Sequence, residues 1–358
     1  MSTFLLAAGG TGGHLFPAEA LAHELVSRGH KTHLATDERA DRFSASFPGD
    51  IHIVPSATFG SKNPVALTNA ALTLWRGLRT SKRLLRELRP AAVIGFGGYP
   101  TLPPLFAATG SFPTAIHEAN GVMGRANKLL APRVDAIAGG FLKIDGPHAG
   151  KMERTGNPVR GAVIGAATKR YEPSRDGPFN LLVFGGSQGA AFFSEAIPEA
   201  IERLSTPLRA RLRVVQQARA EDMQSVREAY ARSDVQAVVE PFFRDLPSRI
   251  AEAHLVVSRS GASTVSELAT IGRPSILVPY PFALDHDQAA NAAGLEREGG
   301  ATLVPQSELT SDRLADMLAN AMAEPDRLAK MADAARTVGH GDATKRLADL
   351  IERIAAKR

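Results

Sequence analysis

Twice along this chain a short apolar run ends in a glycine-rich turn that opens a helical pattern. FLLAA (4–8) runs into GGTGGH from Gly9, and NLLVFGG (180–186) overlaps GGSQGA from Gly185. A run that short, closed by glycine, reads as a strand rather than a helix. KTHLAT (31–36), AAVIGF (91–96), PTAIHE (113–118) and VDAIAG (134–139) are runs of the same kind, and helical patterns such as PAEALAHELVSRG lie between them. After a charged, Pro- and Gly-containing stretch, ATKRYEPSRDGP (167–178), the alternation restarts with RVVQQ (213–217), VQAVVE (235–240), HLVVSR (254–259), SILVPY (275–280) and ATLVP (301–305). Strands alternating with helices make βαβ units and a parallel sheet, so the fold class is α/β. At 358 residues the chain is too long for one core, because cores stop growing at about 250–300 residues. Two doubly wound domains are expected, 1–160 and 161–338. A helical segment closes the chain (339–358) and packs on a half that the pattern leaves open, the first being preferred. Ligands of doubly wound sheets bind at the carboxyl ends of the strands, so a cleft between the two domains is the expected site.

Cysteine is absent, which excludes disulfides and thiolate metal sites and fits a reducing cytoplasm. The first apolar run has no basic residue ahead of it and ends in glycines, so it reads as a strand and not a signal peptide. No window holds the ~20 apolar residues of a membrane-spanning helix. A formal charge of +5 favours anionic partners without choosing among them.

Both glycine turns offer bare backbone N–H groups at the positive end of a helix dipole, which suits a phosphate. A tight turn that binds nothing is the plain alternative for either one taken alone. The dinucleotide fingerprint G-x-G-x-x-G fails at its last position, where Leu15 stands, and this weakens a nicotinamide oxidoreductase reading. Segment 258–279, SRSGASTVSELATIGRPSILVP, runs strand, small-residue turn, helix, Gly-Arg-Pro turn, strand. Ala262, Ser263 and Thr264 let a ligand approach the helix N-terminus closely. Glu267 is placed to accept two hydrogen bonds from a ribose cis-diol. Alone, it would read as a solvated helix glutamate.

GGTGGHLFPA, GFGGYPTLP, HEAN, GNPVR, GGSQGA, SRSGASTVSELATIGRPSILVPY and DHDQAANA stand in this order between residues 9 and 292. The set resembles the MurG family of transferases, which move GlcNAc from UDP-GlcNAc to undecaprenyl-pyrophosphoryl-MurNAc-pentapeptide (lipid I to lipid II) in peptidoglycan synthesis. The resemblance implies a GT-B architecture of two Rossmann-like domains, with the donor held mainly by the second. It assigns Glu267 to the ribose, Ser187 and Gln188 to the donor pyrophosphate, Arg160 and Asn120 to the donor site, and Gln288 to the GlcNAc hydroxyls. Phe243 falls where a backbone group reads the uracil edge, and Thr11, Gly12 and Gly13 line the cleft opposite. Ala119 stands where some members have Gln, and Asp287 where some carry a further amide or His. These departures touch sugar contacts and not the chemistry.

The implied reaction inverts the anomeric carbon and needs a base for the MurNAc C4 hydroxyl. His14, after the first turn, is the leading candidate, with an orienting or phosphate-binding role as its alternative. Glu118 is the rival base, or the group that orients His14. Asp285 and Asp287 form D-x-D inside the sugar-contact segment, so no metal site is assigned and no cofactor is expected. Backbone amides and the helix dipole at 185–190 would meet the leaving-group charge. Gly97, Gly98 and Tyr99 form a third glycine turn, a candidate for the acceptor pyrophosphate.

Residues 64–90 carry Leu67, Ala71, Leu74, Leu78, Leu85 and Leu88 at helical spacing, with Arg76, Arg79, Lys82, Arg83, Arg86 and Arg89 between them. A basic amphipathic helix suits an anionic membrane surface, although the leucines also serve as a core-facing stripe. The expected location is peripheral, on the cytoplasmic face of the bacterial cell membrane, with wall-synthesis or division proteins as further partners. Nucleic acid is excluded for want of interleaved aromatics. The alternatives are a non-catalytic nucleotide-sugar binder, or another GT-B enzyme such as a lipid or natural-product glycosyltransferase or a UDP-GlcNAc 2-epimerase.

Overall fold

A computed structural model describes residues 1–9, 12–38, 46–57, 63–185, 191–283 and 287–357. The chain forms two compact units, Met1–Arg160 with Gly341–Arg358, and Gly161–His340.

Among the described residues the first unit holds a parallel sheet of β1 (Thr3–Ala7), β2 (Lys31–Thr36), β3 (Asp50–Ile53), β4 (Ala92–Gly95), β5 (Thr114–Glu118), β6 (Ala136–Gly139) and β7 (Met152–Arg154), ordered 3-2-1-4-5-6-7. Successive side chains of β1 alternate between the two faces. Phe4 and Leu6 join Leu21, Leu25 and Ile94 on one face, and Leu5 and Ala7 join Val93, Leu105 and Ile116 on the other. Both faces are covered, which is why the central strands read as unbroken apolar runs.

The closing helix, Ala343–Ala355, places Leu347, Ala348, Leu350, Ile351 and Ile354 in the first of these cores. Arg28, at the end of helix Gly12–Ser27, holds it by ion pairs to Asp349 (2.6 Å) and Glu352 (2.7 Å). Two edge strands escaped the sequence pattern. The side chains of β3 are mostly exposed, and β7 is three residues long.

The second unit repeats the plan with β8 (Phe179–Phe184), β9 (Leu212–Gln217), β10 (Gln236–Glu240), β11 (Leu255–Ser258), β12 (Ser275–Leu277) and β13 (Ala301–Leu303), ordered 10-9-8-11-12-13. In each sheet the strand order reverses once, between β1 and β4 and between β8 and β11. The crevice at the carboxyl ends of such a strand pair is where doubly wound sheets take ligands.

Candidate active site

At the first reversal, β1 and β4 deliver two glycine turns to one place. Gly9 N–H donates to Gly97 O (3.1 Å). Gly97 and Gly98 have φ of +95° and +77°, in the left-handed region that favours glycine. A Cβ on Gly98 would lie 3.1 Å from Gly9 Cα, and one on Gly97 would lie 3.2 Å from His14 Cδ2 and Nε2. The imidazole therefore packs against the backbone of both turns. Burial lowers the His14 pKa, while the charge of Glu118 acts the other way. A lowered value leaves the ring neutral at pH 7, able to accept a proton. Gly12 and Gly13 begin the helix, and a Cβ on Gly13 would meet nothing within 4 Å among the described residues. Tyr99 packs against the neighbouring core, beside the turn it follows. Thr11 lies outside the described residues.

Glu118 ends β5 and is buried. Its Oε1 accepts from Asn120 N–H (3.0 Å) and Asn120 Nδ2 (3.1 Å), and its Oε2 from Gly124 N–H (2.8 Å) and Asn127 Nδ2 (2.9 Å). Four donors already occupy the carboxylate, so a base at this position would have to surrender bonds that shape the 119–124 loop. These bonds tie Glu118 to residues 120, 124 and 127. Asn127 carried no sequence signal and completes the cluster, since a Cβ on Gly97 would also come within 3.7 Å of its Nδ2.

His117 likewise went unassigned in the sequence. Its Nε2 lies 3.1 Å from Gly156 O, and a carbonyl only accepts, so Nε2 carries the hydrogen. Asn157 Nδ2 donates to Ala119 O (3.0 Å). HEAN and GNPVR, distant in sequence, are thus knitted together. Asn120 takes its place from Glu118, and the Arg160 guanidinium stacks 4.2 Å over Phe16 of the His14-bearing helix.

At the second reversal, β8 ends at Phe184, just before Gly185, and β11 ends at Ser258, just before residues 259–261. Ser187, Gln188 and Asp285 lie outside the described residues. The helix Ala262–Ile271 opens at Gly261, where φ is −61° and a Cβ would meet nothing within 4 Å among the described residues. Open space thus faces this helix start, beside Ser263 and Thr264. Ala262 and Glu267 are buried. Gln288 Oε1 accepts from Tyr280 N–H (2.9 Å), which leaves its amide nitrogen as the donor end. Arg259 is buried and donates to Val278 O (3.2 Å), Pro279 O (3.1 Å) and Gln306 Oε1 (2.6 Å), which fixes the strand end ahead of Gln288. The Phe243 ring is buried with the Arg249 guanidinium 4.6 Å above it, so it supports its loop from beneath.

The descriptions "Glycosyltransferase family 28 N-terminal domain" and "Glycosyltransferase family 28 C-terminal domain" match residues 4–139 and 180–354. A protein of Chelativorans sp. (strain BNC1) named UDP-N-acetylglucosamine--N-acetylmuramyl-(pentapeptide) pyrophosphoryl-undecaprenol N-acetylglucosamine transferase is 64% identical over 358 residues, 99% of this chain and 96% of its own length. This chain belongs to glycosyltransferase family 28 and, within it, to the MurG family. The crystal structure of Acinetobacter baumannii MurG superposes with a TM-score of 0.77 at 27% identity, covering 98% of this chain and 99% of that one. A UDP-GlcNAc 2-epimerase from Neisseria meningitidis, solved with UDP-GlcNAc, shares the fold at TM-score 0.68 and 14% identity, over 99% of this chain and 100% of its own. The MurG-family chain is thus a glycosyltransferase of GT-B type, built from two parallel-sheet α/β units.

Proposed function

We propose that the chain moves GlcNAc from UDP-GlcNAc to the C4 hydroxyl of MurNAc in undecaprenyl-pyrophosphoryl-MurNAc-pentapeptide, with inversion at the anomeric carbon. The observation that carries this reading is the near full-length, 64% identical relative bearing that activity as its name. In this reading neutral His14 takes the proton of the attacking hydroxyl, held against Gly9, Gly97 and Gly98. Glu118 and Asn127 position the loop that bears Asn120. Gly185 with its following turn, Gly261–Thr264, Glu267 and Gln288 hold the donor, and Phe243 supports the loop that reads uracil. UDP leaves into backbone N–H groups and the positive end of the helix Ala191–Glu202. Turnover that persists in EDTA is the expected result for departure without a metal.

The lipid acceptor requires approach to a membrane. What supports this is the helix Pro64–Leu88, where Val65, Leu67, Leu72 and Trp75 are exposed among arginines. In this reading the enzyme is peripheral, on the cytoplasmic membrane face where peptidoglycan precursors are made, and wall-synthesis and division proteins are its natural neighbours.

The test is transfer of radiolabelled GlcNAc to a lipid I analogue, with UDP-GalNAc and UDP-glucose as controls. Label incorporated from UDP-GlcNAc alone is expected. Absence of transfer from any of the three overturns the reading.

A further inference from the structure

Gln217 is the last residue of β9, the strand between β8 and β10. Its side chain is buried, and both ends of the amide are used. Oε1 accepts from Gly185 N–H (3.2 Å), and Nε2 donates to Pro241 O (3.1 Å). In the sheet β8 and β10 have no ladder bonds to each other, because β9 stands between them. Gln217 bridges them with one rigid amide. On one side is the glycine that opens the phosphate turn. On the other is the start of the loop 241–245, whose Phe243 lies beneath Arg249. Arg249 also donates to Asp245 Oδ1 (2.8 Å) and tightens the same loop. The preceding residue, Gln216, points to the opposite face and donates to Phe193 O (3.0 Å), just past the turn.

We infer that Gln217 is a positioning residue that sets the spacing between the diphosphate subsite and the nucleobase subsite, so that a nucleoside diphosphate is bound as one unit. This rests on the donor-site reading above. A residue that fixes the distance between two subsites matters most to a ligand spanning both. A fragment occupying one subsite settles into it almost undisturbed. Losing both amide bonds frees Gly185 N–H and Pro241 O from a common partner and costs binding energy for the whole nucleotide.

Gln217→Met keeps length and volume and removes both bonds. Gln217→Glu keeps the acceptor for Gly185 N–H and loses the donor for Pro241 O. The measurements are KM for UDP-GlcNAc and for a lipid I analogue, with calorimetric Kd for UDP, uridine and inorganic pyrophosphate, on the full chain. For Gln217→Met, KM for UDP-GlcNAc and Kd for UDP are expected to rise about tenfold, as for two lost hydrogen bonds. The acceptor KM and the Kd of uridine and of pyrophosphate should change less than about twofold, because only the spanning ligand needs the bridge. Gln217→Glu sets a carboxylate oxygen against Pro241 O, a repulsion as well as a lost bond, so its KM for UDP-GlcNAc should rise at least as much as for Gln217→Met. Unchanged UDP affinity in Gln217→Met overturns the inference, as does a fall in kcat and melting temperature with KM unmoved. Wild-type protein that binds no UDP overturns the donor-site reading and this inference with it.

Discussion

His14 lies where two chemical demands meet. Its ring is packed against glycine backbone, and burial holds its pKa below the ordinary 6.5. His117, two strands away in the sheet, is held down by the same cause. For histidines with depressed values the native state binds fewer protons than the unfolded chain below pH 6.5. The stability of the neutral rings is therefore present above that pH and lost as pH falls through the window beneath it. If His14 is the base, kcat/KM stays level from pH 7 upward and falls on an acid limb with its midpoint below 6.5, read from a pH–rate profile. His14→Ala should lower kcat by about 10²–10⁴-fold and leave UDP binding nearly unchanged.

Substituting Gly98 is a poor test of acceptor binding, since any side chain there would drive into Gly9. Gly261→Ala is cleaner because its methyl enters open space at an ordinary φ. Melting temperature should hold, while KM for UDP-GlcNAc rises roughly tenfold if donor fills that space.

Arg273 shows how a buried charge is accommodated without a carboxylate. Its guanidinium donates to Ala251 O, Ile271 O, Gly272 O and Lys169 O, the carbonyls at the ends of two helices and of the linker region. Burial lowers its pKa to about 10. Lysine cannot serve carbonyls in this fork-like arrangement, so Arg273→Lys should cost about 2–4 kcal/mol in urea unfolding.

The helix Pro64–Leu88 shows what periodicity misses. The stripe Leu67, Ala71, Leu74, Leu78, Leu85 and Leu88 suggested a core face; Leu85 is buried and Leu88 packs on the core, but the other buried positions are Ala70, Gly77, Ser81 and Leu84. Gly77 is where the backbone comes closest, since a Cβ there would fall 2.0 Å from Pro55 O. In the first half of the helix, Leu67 and Leu72 instead face outward beside Trp75, which is 52% exposed under the Arg79 guanidinium. An outward apolar stripe flanked by cations is the feature expected of a membrane-surface helix. Replacing Arg76, Lys82 and Arg86 together by Glu should weaken partitioning onto vesicles containing anionic lipid by about 100-fold or more, at about 1 kcal/mol per lost cation. Vesicle co-sedimentation with and without anionic lipid, alongside an unchanged circular dichroism spectrum, measures this.

At the scale of the whole molecule, the first unit is closed by the last residues of the chain. Ending the protein at residue 340 removes Leu347, Leu350, Ile351 and Ile354 from its core, along with Ala348, the four larger side chains each contributing about 2 kcal/mol of burial. Such a loss is comparable to the whole stability of a domain. The truncated chain should lose cooperative melting of that unit, seen as fast amide exchange in β1, β2 and β4. The second unit, complete within Gly161–His340, should keep its slow exchange.

The α/β class, the restart of the strand–helix alternation, most strands and the family were legible in the sequence. Each rests on local patterns: short apolar runs, glycines after strands, and motifs in a fixed order. The edge strands β3 and β7 were not, because side chains that meet solvent carry no apolar run. The hydrogen-bond surroundings of Glu118 were not either, since four donors converge on it from residues 120, 124 and 127 only after the loop folds back. The opening pair of glycine turns was visible from the first lines of the chain, whereas their partners were set by topology. The strand reversals bring Gly9 to Gly97 and set Gly185, just past β8, beside β11, which leads to Gly261. Partners so far apart along the chain meet only through the order of strands in a sheet, and that order is fixed by packing over the whole core.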